Sequence, residues 1–138
     1  MNIKTMICAF FGAIGAGITA LMGGWSKDLL CLIIFMGIDF FTGLMVAAVF
    51  KNSKKTGSGA LNSSVTYKGI VKKISELLFV VIANALDAYL GTDFIRSGVI
   101  VGFMVNELIS IVENASLMGI VSPMITEAID ILKKEVKR

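Results

Sequence analysis

The chain has 138 residues, 56% hydrophobic and 17% charged, with a mean hydropathy of +0.84. Soluble domains carry about 25% charged residues, so these figures exclude an ordinary water-soluble domain and fit one integral membrane domain, residues 1–138. Net charge is only +3, yet six of the 13 basic residues fall between Lys51 and Lys73 with no acid among them.

The first apolar segment, about 5–24, opens a charge-free run from Thr5 to Ser26, 22 residues long. A signal-peptide core is usually about 7–15 residues, so a retained membrane span is expected. Ala9, Ala13 and Gly17 recur at i, i+4, i+8, as do Gly12, Ala16 and Ala20. Such rows allow close backbone approach between helices in lipid. Cys8 and Cys31 lie in apolar runs and read as small buried hydrophobes.

The second span, about 29–50, holds 13 Leu, Ile, Phe or Val residues and one charge, Asp39. At roughly −0.3 to −0.6 kcal/mol each, these residues outweigh about +3 kcal/mol for a central Asp. Residues 51–73 then form a polar, lysine-rich segment, expected to be a cytoplasmic loop. Lys51, Lys54, Lys55, Lys68, Lys72 and Lys73 suit anionic lipid headgroups.

The third span, about 74–90, contains Glu76, Asn84 and Asp87. The fourth, about 97–118, has ten Leu, Ile, Phe or Val residues but also Glu107 and Glu113. Two Glu at membrane depth offset that apolar gain, so these spans are expected to insert together or with partners. Ser122-Pro123 reads as a helix N-cap and first position. The tail, 122–138, has an apolar side and ends in Lys133, Lys134, Lys137 and Arg138. It suits an amphipathic helix on an anionic surface, with a soluble basic tail as the alternative. The expected fold is thus an all-α membrane protein of about four transmembrane helices plus a short amphipathic C-terminal helix. With the basic regions on one side, both termini are predicted cytoplasmic by the positive-inside rule.

Helical phase organises the polar residues. Asp39, Thr42 and Gly43 share one face. Glu76, Asn84 and Asp87 share another, with Val80 and Ala83. Asn106, Glu107, Ser110, Glu113 and Asn114 lie within an arc of about 120° at 100° per residue. Lipid cannot satisfy such stripes, so they face protein or water. Three readings stay open: a packed bundle with carboxylates protonated or paired to Lys72 or Lys73, an aqueous pore built from several copies, and an ion or solute carrier.

Catalysis finds little support. With no His, the commonest general base and metal ligand is missing. No metal-ligand spacing or phosphate-cradling glycine loop is present, so neither an enzyme nor a cofactor is expected. The basic segment lacks interleaved aromatics and adjoins membrane on both sides, so no nucleic-acid partner is expected.

Three further stretches carry a resemblance: Ile38-Asp39-Phe40-Phe41-Thr42-Gly43-Leu44, then Tyr67-Lys68-Gly69-Ile70-Val71-Lys72-Lys73, then Asn106 to Asn114 with Gly119 to Pro123. In order and spacing they resemble the toxin-secretion/phage-lysis holin family of phages and prophages, mainly of Gram-positive bacteria, over about 24–134. The resemblance implies a protein that accumulates in the bacterial inner membrane and then assembles abruptly into lesions. These release an endolysin, or a toxin in some members, or collapse the membrane potential. It places Asp39, Thr42, Gly43, Lys68, Gly69, Lys73, Asp87, Glu107, Ser110, Glu113 and Asn114 at the family's recurrent polar positions, without a catalytic role. The implied partners are further copies of the chain, membrane lipids, and an endolysin or secreted toxin. A small dimeric ion or solute transporter and an assembly subunit of a membrane complex are the alternatives.

Overall fold

The computed structural model describes residues 2–137, and these contain helices and connecting segments without a strand. Five helices follow one another: α1 Ile3–Leu21, α2 Lys27–Ala48, α3 Ser63–Leu90, α4 Ile95–Leu117 and α5 Pro123–Val136. Local chemistry explains their ends. Asn62 caps α3 by accepting from Ser64 N at 2.9 Å and Val65 N at 3.3 Å. Gly91 closes α3 in the left-handed region at φ 68°. Ser122 precedes Pro123 at the start of α5, and Lys133 and Lys134 lie in its last turn, where cations favour a helix C-terminus.

The polar segment expected at 51–73 is divided. Residues 49–62 connect α2 to α3, while 63–73 already form the first three turns of α3. Hydropathy marks where a segment leaves lipid, whereas the Asn62 cap marks where the helix begins. At 28 residues, α3 extends about 42 Å at 1.5 Å per residue.

Among the described residues three helices are long and apolar enough to cross a membrane: α1, α2 and α4, with mean hydropathies of 1.6, 2.4 and 1.6 over their most apolar stretches. That is one fewer than expected from the sequence. The difference is α3, which is long enough but carries Lys68, Lys72, Lys73, Glu76 and Asp87. Asp87 and Lys73 find partners inside the fold, as described below, which hydropathy does not register.

Helices α2 and α4 make the most extensive contact and run in the same direction; α3 packs antiparallel against α4. The apolar core lies toward the α1–α2 turn. It comprises Met22, Leu29, Leu32, Met36, Val80 and Ile100. Phe79 and Phe103 meet edge to face beside it. Beyond Met36 the core changes character and becomes charged. Helix α1 stands apart, with none of its residues buried and Phe10 and Phe11 both more than 60% exposed. A Cβ added at Gly12 or Gly17 would meet nothing within 4 Å. The small-residue rows of Ala9, Gly12, Ala13, Ala16, Gly17 and Ala20 are exposed.

Candidate functional site

Asp39 and Glu107 occupy the same step of parallel helices, each twelve residues beyond its helix start. Both fall near mid-helix. Lys73 of α3 reaches between them. Its Nζ donates to Asp39 Oδ2 at 2.7 Å and to Glu107 Oε2 at 2.5 Å. The side chains of Lys73, Asp39 and Glu107 are 17%, 9% and 2% exposed. An ion set so desolvated is stable only with short, well-aligned bonds. One lysine thus ties three helices together at membrane depth.

Glu76 sits one turn along α3 from Lys73. Asp87 bonds α4 at Ile95 and Arg96 (see below), so stepping back along both helices brings Glu76 level with Glu107. Glu76 is 5% exposed, and its Oε2 is buried without a hydrogen-bond partner. Lys72, with a side chain 65% exposed, approaches its other oxygen at 3.7 Å. Three carboxylates are thus buried in this region, and the half-buried Lys73 ammonium pairs with two of them.

Toward the 49–62 connection, Asn114 joins α4 to α2. Its Nδ2 lies 3.2 Å from Asp39 Oδ1 and 2.9 Å from Thr42 Oγ1. A Cβ on Gly43 would come within 3.7 Å of that same nitrogen, so Gly43 lets α2 and α4 close here. A cavity of about 320 Å³ opens beside this contact. It extends from Lys54, Lys55 and Asn62 of the connection, past Thr126 and Lys133 of α5, to Asp39 and Lys73.

At the opposite end, Asp87 caps α4 from the neighbouring helix. It accepts from Ile95 N at 3.1 Å, Arg96 N at 2.8 Å and Thr92 Oγ1 at 2.6 Å. Arg96 then holds the α1–α2 turn. Its Nε donates to Met22 O, and its Nη2 to Gly24 O at 3.1 Å and Ser26 Oγ at 2.9 Å. Asn84 donates to Leu21 O at 3.0 Å. Gly23, at φ +91°, lies directly against Asn84 and Arg96, so only glycine fits the turn.

A family model described as the bacteriophage holin family matches residues 16–134, from inside α1 to the end of α5. The chain belongs to the bacteriophage holin family. An uncharacterised protein of Halalkalibacterium halodurans is 36% identical over 127 residues, covering 87% of this chain and 88% of its own. An uncharacterised Listeria monocytogenes protein is 39% identical over 93 residues, covering 67% and 61%. A protein of Bacillus phage phi105 named a probable holin is 27% identical over 118 residues, covering 84% and 82%. No solved structure matches. Holin-family membership and the three apolar helices together make this a membrane protein with a holin role at the family level.

Of the polar residues expected to line a pore or join helices, Asp39, Thr42, Glu76, Glu107, Ser110 and Asn114 gather in and around the central cluster. Asp87 and Asn84 are helix and turn fasteners at the far end. The buried stripe of α4 is narrower than the 120° arc read from sequence. Glu107 and Asn114 are buried, while Asn106 and Glu113 flank them and are exposed. Glu113 instead pairs with Lys133 of α5.

Lys73, expected among the headgroup lysines and, in the packed-bundle reading, as a partner of the carboxylates, is the half-buried centre of the cluster, which corrects the first expectation. Lys133 likewise reaches Glu113 rather than standing free. Lys51, Lys54, Lys55, Lys68, Lys72, Lys134 and Lys137 are exposed, and Arg138 lies outside the described residues. Arg96 was missed as a fastener. It is an arginine beside an apolar span, with Asp28 and Asp87 placed to share it. That pattern signals a buried polar contact rather than a topology marker alone.

Proposed function

We propose that this chain is a working holin. Copies gather in the bacterial cytoplasmic membrane and reorganise into a lesion that passes an endolysin, or depolarises the cell. In some hosts the cargo is a secreted toxin. Helix α3 is the fourth span, both termini and the 49–62 connection face the cytoplasm, and the chain has no enzymatic role. The observation that carries this reading is the Asp39–Lys73–Glu107 cluster with Glu76 beside it. Closed, the bundle hides these groups at membrane depth. Opened, Asp39, Glu76 and Glu107 face water, where ionised carboxylates are favoured and their mutual repulsion holds a lumen apart. The open small-residue rows of α1 leave a face on which neighbouring copies pack.

Asp39→Asn with Glu107→Gln tests the reading. Both changes keep shape and remove charge. The onset of dye entry into growing bacteria is expected to shift, and the lesion to narrow. Unchanged timing and unchanged lesion size would sink the carboxylate-lined opening. Selective uptake of one small solute, without loss of viability, favours a carrier instead.

A further inference from the structure

The ends of α2, α3 and α4 meet the basic connection around one cavity. Its volume is about 320 Å³, within the range of small-ligand sites, about 300–1,000 Å³. Phe40 and Leu44 of α2, Val65 of α3 and Leu117 of α4 give it an apolar wall. The connection and α5 give it a polar one. Four lysines and three carboxylates line it: Lys54, Lys55, Lys73 and Lys133 against Asp39, Glu113 and Asp130. Lys73 is paired with Asp39, and Lys133 with Glu113. Among the described residues Lys54 and Lys55 form no salt bridge, so the lining keeps a positive excess. The loop that carries these two lysines is fixed. Asn52 N donates to Val46 O at 3.1 Å, and Asn52 Nδ2 donates to Leu117 O at 3.3 Å. Ser53 N donates to Gly59 O at 3.0 Å, and Thr56 Oγ1 donates to Ala60 O at 2.9 Å. Lys51 sits in the left-handed region at φ 49°, a conformation held on a lysine only by a well-determined turn. A loop already ordered loses less entropy on binding a ligand.

We propose that this cavity binds one anionic phospholipid, with its phosphate at Lys54 and Lys55 and its glycerol and first methylenes along Phe40, Leu44, Val65 and Leu117. Three features select that ligand. Two lysines without a salt bridge call for an anion. The apolar wall calls for a ligand that is also amphipathic. The cavity lies where α2 ends at Ala48, α3 begins at Ser63 and α4 ends at Leu117, the level at which lipid headgroups meet a membrane protein. An anionic lipid satisfies all three, whereas inorganic phosphate satisfies only the first. Such a site differs from the diffuse attraction of a polybasic segment, which needs no cavity and which every exposed lysine shares. Thr126 and Lys133 belong to α5, so an occupied site also holds α5 against α4, beside the Ser116–Thr126 hydrogen bond of 3.1 Å. The site requires that the chain lie in a membrane; it does not require that the chain form lesions.

Calorimetric titration of the purified full chain in a non-ionic detergent tests the site. The probes are dihexanoyl phosphatidylglycerol, dihexanoyl phosphatidylcholine and inorganic phosphate. Phosphatidylglycerol is expected to saturate at one molecule per chain, with the other two weaker by about tenfold or more. Lys54→Gln with Lys55→Gln should weaken phosphatidylglycerol by roughly tenfold, the scale of two lost charge-assisted contacts. Lys134→Gln with Lys137→Gln removes the same charge from exposed positions outside the cavity and should leave binding nearly unchanged. Gly69 lines the cavity, and a Cβ there meets nothing within 4 Å, so Gly69→Phe fills the space without altering charge and should abolish binding. If Gly69→Phe melts well below wild type, the two lysine pairs decide alone. Equal losses in the two lysine pairs would reduce the effect to diffuse attraction and overturn the site. So would phosphatidylcholine binding as well as phosphatidylglycerol, or a folded Gly69→Phe that binds like wild type. Inorganic phosphate binding as well as phosphatidylglycerol would overturn the lipid and leave a free-anion site. Wild-type cells that never admit dye would count against the holin reading, and the titration would still decide the lipid site.

Discussion

Replacing Lys73 with methionine removes the one ammonium that joins α2, α3 and α4 while keeping most of its length. Asp39 and Glu107, with side chains 9% and 2% exposed, are then left without the ammonium that both accept from. Removing one partner of a buried ion pair costs about 3–5 kcal/mol, because the remaining charge has neither water nor counter-ion. At about 1.36 kcal/mol per decade, the closed-to-open ratio drops by roughly 10² to 10⁴. Two assays read this. Thermal melting of the purified full chain in detergent should fall well below wild type, and dye entry after induction should come early. Adding Asp39→Asn and Glu107→Gln to Lys73→Met removes the stranded charges and should restore most of the melting temperature. A Lys73→Met protein that melts like wild type would refute the claim that this cluster holds the bundle closed. So would a triple variant no better than the single one.

Three further outcomes follow from the geometry. Asp87→Ala removes the cap on α4 and should cost about 1–2 kcal/mol in melting experiments, with Asp87→Asn recovering part of it. Gly23→Ala forces a side chain into a turn at φ +91° against Asn84 and Arg96, so a loss of about 1–3 kcal/mol is expected on the same assay. Gly12→Leu and Gly17→Leu should not lower the melting temperature of dilute protein, since a Cβ at either position meets nothing within 4 Å beyond its own helix backbone and leaving glycine favours the helix. The same pair should weaken chemical cross-linking between copies in membranes.

Much of this was legible in the sequence, and particular residues show why. The apolar runs located α1, α2 and α4 within two or three residues of their ends, because lipid-length hydrophobicity and helix length coincide there. Asn62 moved the start of α3 to Ser63, since capping acts on backbone N–H groups and not on hydropathy. Phase put Asp39, Glu76, Glu107 and Asn114 on stripes that lipid rejects and that face protein or water; the packing of α2, α3 and α4 brings them together. The same reasoning placed Lys73 near that stripe, yet charge-counting across the polar segment grouped it with solvated lysines. Only the packed helices show that its chain is long enough to reach two carboxylates. Asp87 reads as one more buried carboxylate until α4 is placed with its first N–H groups over it. Asn106 is one residue from Glu107, a turn of about 100°, and that step moves it from core to surface.

The most direct measurement is induction of the unaltered chain in growing bacteria, with and without a co-expressed endolysin, while dye exclusion and culture density are followed. The account predicts a sudden loss of dye exclusion in both cultures after a delay, and a collapse of density only where the endolysin is present. Cells that keep dye out, or that admit one small solute while the endolysin stays confined, would contradict it.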